Sequence, residues 1–230
     1  MFFDPFYLIF MLPGLALSLW ASFRTKSAFK KYSKVPSAAG FSGAQAAQLL
    51  LDRSGVVGVR VVRTHGFLSD HYNPINKTLA LSEDVHDSTS LSAIGVATHE
   101  AGHAIQHNRN YAPLWARSML VPTANIGSSI GYIVMALGLF MASQNMVLVG
   151  AILFSAVLLF QIVTLPVEFD ATRRAKELVV AQGIISPHER QGVDRVLNAA
   201  AMTYVAAAVS TLFTLLYFLL RAGLLGNSDD

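Results

Sequence analysis

No cysteine occurs anywhere in the 230 residues. That excludes disulfides and every thiolate metal site, so any metal must be held by histidine or a carboxylate. Charge is scarce as well. Asp, Glu, Lys and Arg make up 13% of the chain against 53% hydrophobic residues, whereas soluble domains carry about 25% charged residues. So charge-poor a composition marks a membrane protein. The net charge of +3 is small. Its cations gather beside an apolar run rather than among exposed aromatics, so nucleic-acid binding is not indicated. Internal repeats and low-complexity tracts are also missing.

What the chain has in quantity is apolar runs. The first covers residues 6–20, opened by Pro5. It has no Lys or Arg ahead of it, and no small-x-small cleavage site precedes the basic stretch. It is therefore expected to be an uncleaved anchor rather than a signal peptide. Arg24, Lys26, Lys30, Lys31 and Lys34 follow at once. Cations just past a span mark the cytoplasmic side, with contact to anionic headgroups as a further consequence. Three more spans are expected at 119–141, 147–167 and 199–220. Gly127 and Gly131 form a G-x-x-x-G pair in the first of these, a spacing that permits close helix packing. The charged segment from Glu168 to Arg195 falls on the same side as the first cation cluster. The uncharged loop 142–145 and both termini then lie outside.

Between the first two spans the composition becomes mixed. Ser42 is a credible cap for a helix Gly43–Arg53, with Ala44, Ala47, Leu50 and Leu51 on one face and Gly55 as the stop. Residues 56–64 are β-branched and expected as a strand, and Thr78–Ser82 as a second. The connection from His65 to Lys77 is rich in turn residues. Ser88 or Ser90 caps a helix over 92–108. Edge strands can hold an extended peptide by main-chain pairing. That role is assigned here to Thr78, Leu79, Ala80, Leu81 and Ser82.

The helix over 92–108 carries His99-Glu100-Ala101-Gly102-His103, an H-E-x-x-H run. Positions i and i+4 lie one turn apart on one helix face. Two neutral imidazoles at that spacing can share one tetrahedral zinc ion, and the glutamate between them can act as general base on a zinc-bound water. A catalytic zinc usually takes a third protein ligand. His107 would lie about 12 Å from His99 along a straight helix, so one ion cannot bind both. His65 and His71 are not excluded by spacing. Glu168 is the best candidate, because it follows an apolar run on the same side of the membrane as the motif.

Three separated runs carry a resemblance: Ser69-Asp70-His71-Tyr72-Asn73-Pro74, Ala97 to Ala104 around the motif, and Leu165-Pro166-Val167-Glu168-Phe169-Asp170-Ala171-Thr172-Arg173-Arg174-Ala175. In this order, over nearly the whole chain, they resemble the bacterial YugP-like family of membrane zinc metallopeptidases. More distantly the chain is similar to the HtpX and CAAX-processing membrane gluzincins. The resemblance implies zinc held by His99, His103 and Glu168, with Glu100 as the base. The distant relatives place an aspartate four residues after the ligand glutamate, where it orients a histidine. Thr172 stands there in this chain, and the aspartate is Asp170, so either could support the site. The oxyanion of the transition state also needs a donor. His188, Arg195, Tyr204 and His71 are candidates among which the sequence does not choose.

The expected architecture is a mainly α membrane protein: about four transmembrane helices plus a small α/β zincin-like cytoplasmic subdomain. Its parts are an anchor (1–23), the subdomain with the motif helix (24–117), a transmembrane hairpin (118–167), a helical segment with the third ligand (168–198), and a last span with a short tail (199–230). The expected function is zinc-dependent hydrolysis of peptide bonds in membrane or cytosolic proteins, on the cytoplasmic side of the bacterial inner membrane. The expected partners are the bilayer and a protein or peptide substrate. Two other readings stay open: a metal-ion binding or transport protein, and an inactive relative that serves as a scaffold.

Overall fold

Four runs of apolar sequence become four long helices. The computed structural model describes residues 5–66 and 68–225. Phe67, Asp4 ahead of the first span, and the end of the tail with Asp229 and Asp230 lie outside the described residues. In chain order the elements are α1 (Pro5–Tyr32), α2 (Gly43–Arg53), β1 (Arg60–Thr64), β2 (His71–Asn73), β3 (Thr78–Ser82), α3 (Glu83–His86), α4 (Leu91–Asn108) and α5 (Ala112–Ile126). A π-turn (Gly127–Gly131) leads into α6 (Tyr132–Phe140), followed by α7 (Gln144–Ala181) and α8 (Arg190–Arg221). Among the described residues, Pro5–Tyr32, Ala112–Phe140, Gln144–Ala181 and Arg190–Arg221 are long and apolar enough to cross a membrane. Contacts divide the chain into two units: one runs through Trp20, takes in Trp115–Leu165 and resumes at Thr203, and the other joins Ala21–Leu114 to Pro166–Met202.

The first unit packs by close backbone approach. A Cβ added to Gly127 would lie 2.3 Å from the Leu153 carbonyl oxygen, and one on Gly150 would lie 2.6 Å from the Met135 nitrogen. Small residues let spanning helices touch where apolar side chains gain nothing by leaving lipid. The G-x-x-x-G pair thus seats the α5–α6 segment on α7. Met135, Val147, Ala151, Phe154, Tyr217 and Phe218 fill the space beside this seam.

The second unit has its own buried core. Helix α2 begins with a capping box: Gln45 N–H donates to Ser42 Oγ at 3.3 Å, and Ser42 N–H donates to Gln45 Oε1 at 2.9 Å. Two otherwise orphaned amides are thereby satisfied. Its Ala46, Ala47, Leu50 and Leu51 are buried against Ile94, Ala97, Ala101 and Ile105 of α4 in one cluster. Helix α4 is capped by Ser90, whose Oγ accepts from Ala93 N–H at 3.3 Å.

The sheet corrects one expectation. Its order is β1-β3-β2. Strand β3 pairs in parallel with β1 from Arg60↔Thr78 to Thr64↔Ser82, and antiparallel with β2 from His71↔Ala80 to Asn73↔Thr78. Thr78, Leu79, Ala80, Leu81 and Ser82 are therefore the centre strand and not a substrate-holding edge. The physical reason is visible in burial: the last four are all buried, and a near-continuous apolar strand suits a central position. The missed neighbour β2 is three residues long and polar, and it lies within the stretch read as turns. The strand expected over 56–64 also forms only from Arg60.

Candidate metal centre

The site starts from α4 and from the part of α7 that belongs to the second unit. On α4, His99 and His103 stand one turn apart, their ring centroids 4.9 Å apart and their planes at 83°. On α7, Glu168 follows directly on the apolar stretch, and the helix continues through it to Ala181. The motif's own glycine lets the helices meet. A Cβ on Gly102 would lie 3.0 Å from the Ala171 carbonyl oxygen, so α4 and α7 touch backbone to backbone beside the motif.

This contact brings three donors together. His99 Nε2 is 3.3 Å from Glu168 Oε2, and His103 Nε2 is 3.6 Å from the same oxygen. One ligand atom from each of the three residues lies within 4.8 Å of the others. Ligands about 2.0–2.1 Å from a tetrahedral zinc stand roughly 3.4 Å apart, so the spacing fits such an ion. Burial points the same way: Glu168 is 1% exposed and His103 is 7% exposed. A carboxylate withdrawn from water this far needs a positive partner. Burial works to lower the His103 pKa, yet the charge of the nearby Glu168 carboxylate raises it above the ordinary imidazole value.

Glu100 lies next to the group. It keeps some open surface, but its surroundings are dense. Burial pushes its carboxyl above the usual range, with the charges of Glu168 and Asp70 adding to that and His99 and His103 opposing it. A carboxyl whose pKa is raised holds a proton more readily than an ordinary one.

The outer partners of the two imidazoles differ. Thr172 Oγ1 is 3.3 Å from His99 Nδ1. His103 Nδ1 is 3.0 Å from Gln106 Oε1, and the Gln106 amide nitrogen donates to the Val167 carbonyl at 2.8 Å and to Asp170 Oδ2 at 2.9 Å. Asp170 in turn accepts from Arg173 and Arg174, each at 2.5 Å. So Thr172 touches one histidine directly, and Asp170 reaches the other through a glutamine. Gln106 was missed in the sequence. Its signal was position alone: it stands at i+3 from His103, where two residues share a helix face.

Among the described residues, the remaining candidates are not in the ligand group. His107 Nδ1 pairs with the Tyr72 hydroxyl at 2.8 Å. That contact ties β2 to the end of α4, and His107 is not in the ligand group. Asp70 accepts from the Ser82 N–H at 2.7 Å and the Ser82 hydroxyl at 3.0 Å, tying the approach to β2 to the end of β3. His65 pairs with Glu83 at 3.0 Å on the surface. Of the suggested oxyanion donors, His71 is exposed with its Nδ1 2.8 Å from the Ser69 carbonyl. His188 and Arg195 are exposed, and Tyr204 is a partly buried residue of α8.

A His-His-Glu group able to hold a metal ion, beside a glutamate and in a chain with four helices long and apolar enough to cross a bilayer, is what a membrane zinc metallopeptidase requires. Residues 7–223 match the family described as "Putative neutral zinc metallopeptidase", and the chain belongs to it. The "Putative membrane protease YugP" of Bacillus subtilis (strain 168) is 44% identical over 214 residues, covering 93% of this chain and 95% of that protein. No solved structure matches the chain.

Proposed function

We propose that this protein hydrolyses peptide bonds in membrane or cytosolic proteins, with His99, His103 and Glu168 holding zinc and Glu100 acting as general base. The observation that carries the reading is the meeting of three donors from α4 and α7 within 4.8 Å, two of them buried and His99 partly so. Family membership and the similar membrane protease support it. When bound, zinc supplies Lewis acidity and makes water acidic near neutral pH. Glu100 takes the proton of the attacking water. The proton it then holds is available to the amine that leaves as the peptide bond breaks. Thr172 and Gln106 orient the two imidazoles from their far sides.

In this reading residues 24–117 form a zincin-like subdomain of gluzincin type, with Glu168 as the carboxylate ligand on a later helix. The same reading puts the site on the cytoplasmic face of a multi-pass inner-membrane protein, a side supported by the cations from Arg24 to Lys34 just past the first apolar run. The test is Glu100→Gln in purified protein, followed with a quenched fluorescent peptide. The expected result is wild-type zinc content with cleavage reduced to background. Cleavage at the wild-type rate would remove Glu100 from the mechanism.

A further inference from the structure

We infer that Gln106 is a positioning residue that selects the tautomer of His103, so that Nε2 is the nitrogen left free to bind the metal. This deepens the metal-site reading above and rests on it. The inference follows from which atoms can donate. The carbonyl of Val167 can only accept a hydrogen bond. Asp170, paired with both Arg173 and Arg174, is ionised and also can only accept. Both lie within 2.9 Å of the same end of the Gln106 side chain. That end must be the NH2 group, and its two hydrogens are both used. The end facing His103 must be the carbonyl oxygen. A carbonyl oxygen 3.0 Å from His103 Nδ1 requires Nδ1 to carry the hydrogen. In a neutral ring Nε2 then carries none, and Nε2 is the atom that faces Glu168.

His99 lacks this determination. Its Nδ1 meets the Thr172 hydroxyl, which can donate or accept. Thr172 holds the ring without choosing its tautomer. Burial strengthens the contrast. Gln106 is 0% exposed, so water cannot replace a lost partner, and an amide turned the wrong way would oppose Oε1 to two acceptors.

The experiment uses the full chain in detergent. Zinc affinity is measured against a chromophoric chelator for the wild type, Gln106→Leu, Asp170→Ala and Asp170→Asn. Removing an outer partner of a ligating histidine typically weakens metal binding about 10–100-fold. Gln106→Leu is expected in that range. Asp170→Ala, which leaves the Val167 anchor, should lose less, about threefold to tenfold. Asp170→Asn keeps an acceptor and should stay within about twofold. A Gln106→Leu protein that folds and binds zinc as tightly as the wild type overturns the inference. If Gln106→Leu does not fold, the two Asp170 variants carry the same test, and equal affinity for Ala and Asn overturns it.

A second readout is independent of zinc. Imidazole 15N shifts of metal-free wild-type protein, at a pH where each ring holds one proton, should place the His103 proton on Nδ1. A proton on Nε2 overturns the inference. If the wild type binds no zinc, the metal-site reading fails by itself, and this measurement still decides the role of Gln106.

Discussion

Helix α7 is one continuous element that meets its neighbours by two different rules. Over residues 144–165 it is apolar, and it packs by removing side chains: Gly150 brings its backbone against Met135. Over residues 166–181 it carries Glu168, Asp170 and Thr172 toward α4, and almost every polar group there has a named partner. The same device, a glycine with no room for a methyl group, operates in both halves. In the apolar half it closes a seam between spanning segments. In the polar half Gly102 of α4 sits against Ala171 of α7, and the closeness sets the distance between a carboxylate and two imidazoles. Close packing in one half joins spanning segments, and in the other it gathers a group able to hold a metal ion.

Substitutions that treat the halves alike should separate them. The largest effect is expected for Gly102→Val. Overpacking a tight contact typically costs about 1–3 kcal/mol. Here the displacement also pulls the histidines from Glu168, so zinc affinity and peptidase activity should fall together, by about 100-fold or more. Chelator competition and a peptidase assay on the folded protein check this. Gly150→Leu, in the apolar half, should cost a similar 1–3 kcal/mol or so in stability, read as a lower Tm. The folded fraction should nevertheless bind zinc within about twofold of wild type, because no ligand or ligand partner is touched. Zinc loss equal to that of Gly102→Val would erase the distinction between the halves. Thr172→Val removes one hydroxyl contact to His99 and keeps the packing. It should weaken zinc binding about tenfold, with little change in Tm. Tyr72→Phe is the smallest. It removes one hydrogen bond, to His107, worth about 1 kcal/mol, and should leave zinc content unchanged by elemental analysis.

Legibility in the sequence followed the same division. The apolar half of α7 is readable from composition, since a long run without charge has few other uses. Helix α2 is readable because Ser42 announces its start and Gly55, at φ +72°, its end. Helix α4 is readable because its motif ties residue type to periodicity. Glu168 was within reach for a related reason: it is the first carboxylate after the third span. The extents of α7 and α8 were harder. Both run through charged sequence, to Ala181 and from Arg190, where the hydrophobic signal ends although the helix does not.

The sheet was misread because β2 is too short and polar to register as a strand, so β3 seemed to have an open side. Gln106 was illegible for another reason. A glutamine on a helix looks like a solvated residue until the opposing Val167 and Asp170 are known, and those lie on an element distant in sequence. The doubt over Asp170 or Thr172 came from spacing: the relatives' aspartate position is Thr172 here, and residues two apart on a helix, such as Glu168 and Asp170, do not share a face. Each supports a different ring, and Asp170 does so through Gln106.

The central claim is that α4 and α7 together build one metal site. Zinc stoichiometry and affinity, measured side by side for the wild type, Glu100→Gln and Glu168→Ala, test it most directly. One tightly bound zinc in the first two proteins and its loss in the third is the expected result. Glu168→Ala binding zinc as tightly as the wild type would contradict the claim, for the site would then belong to α4 without α7.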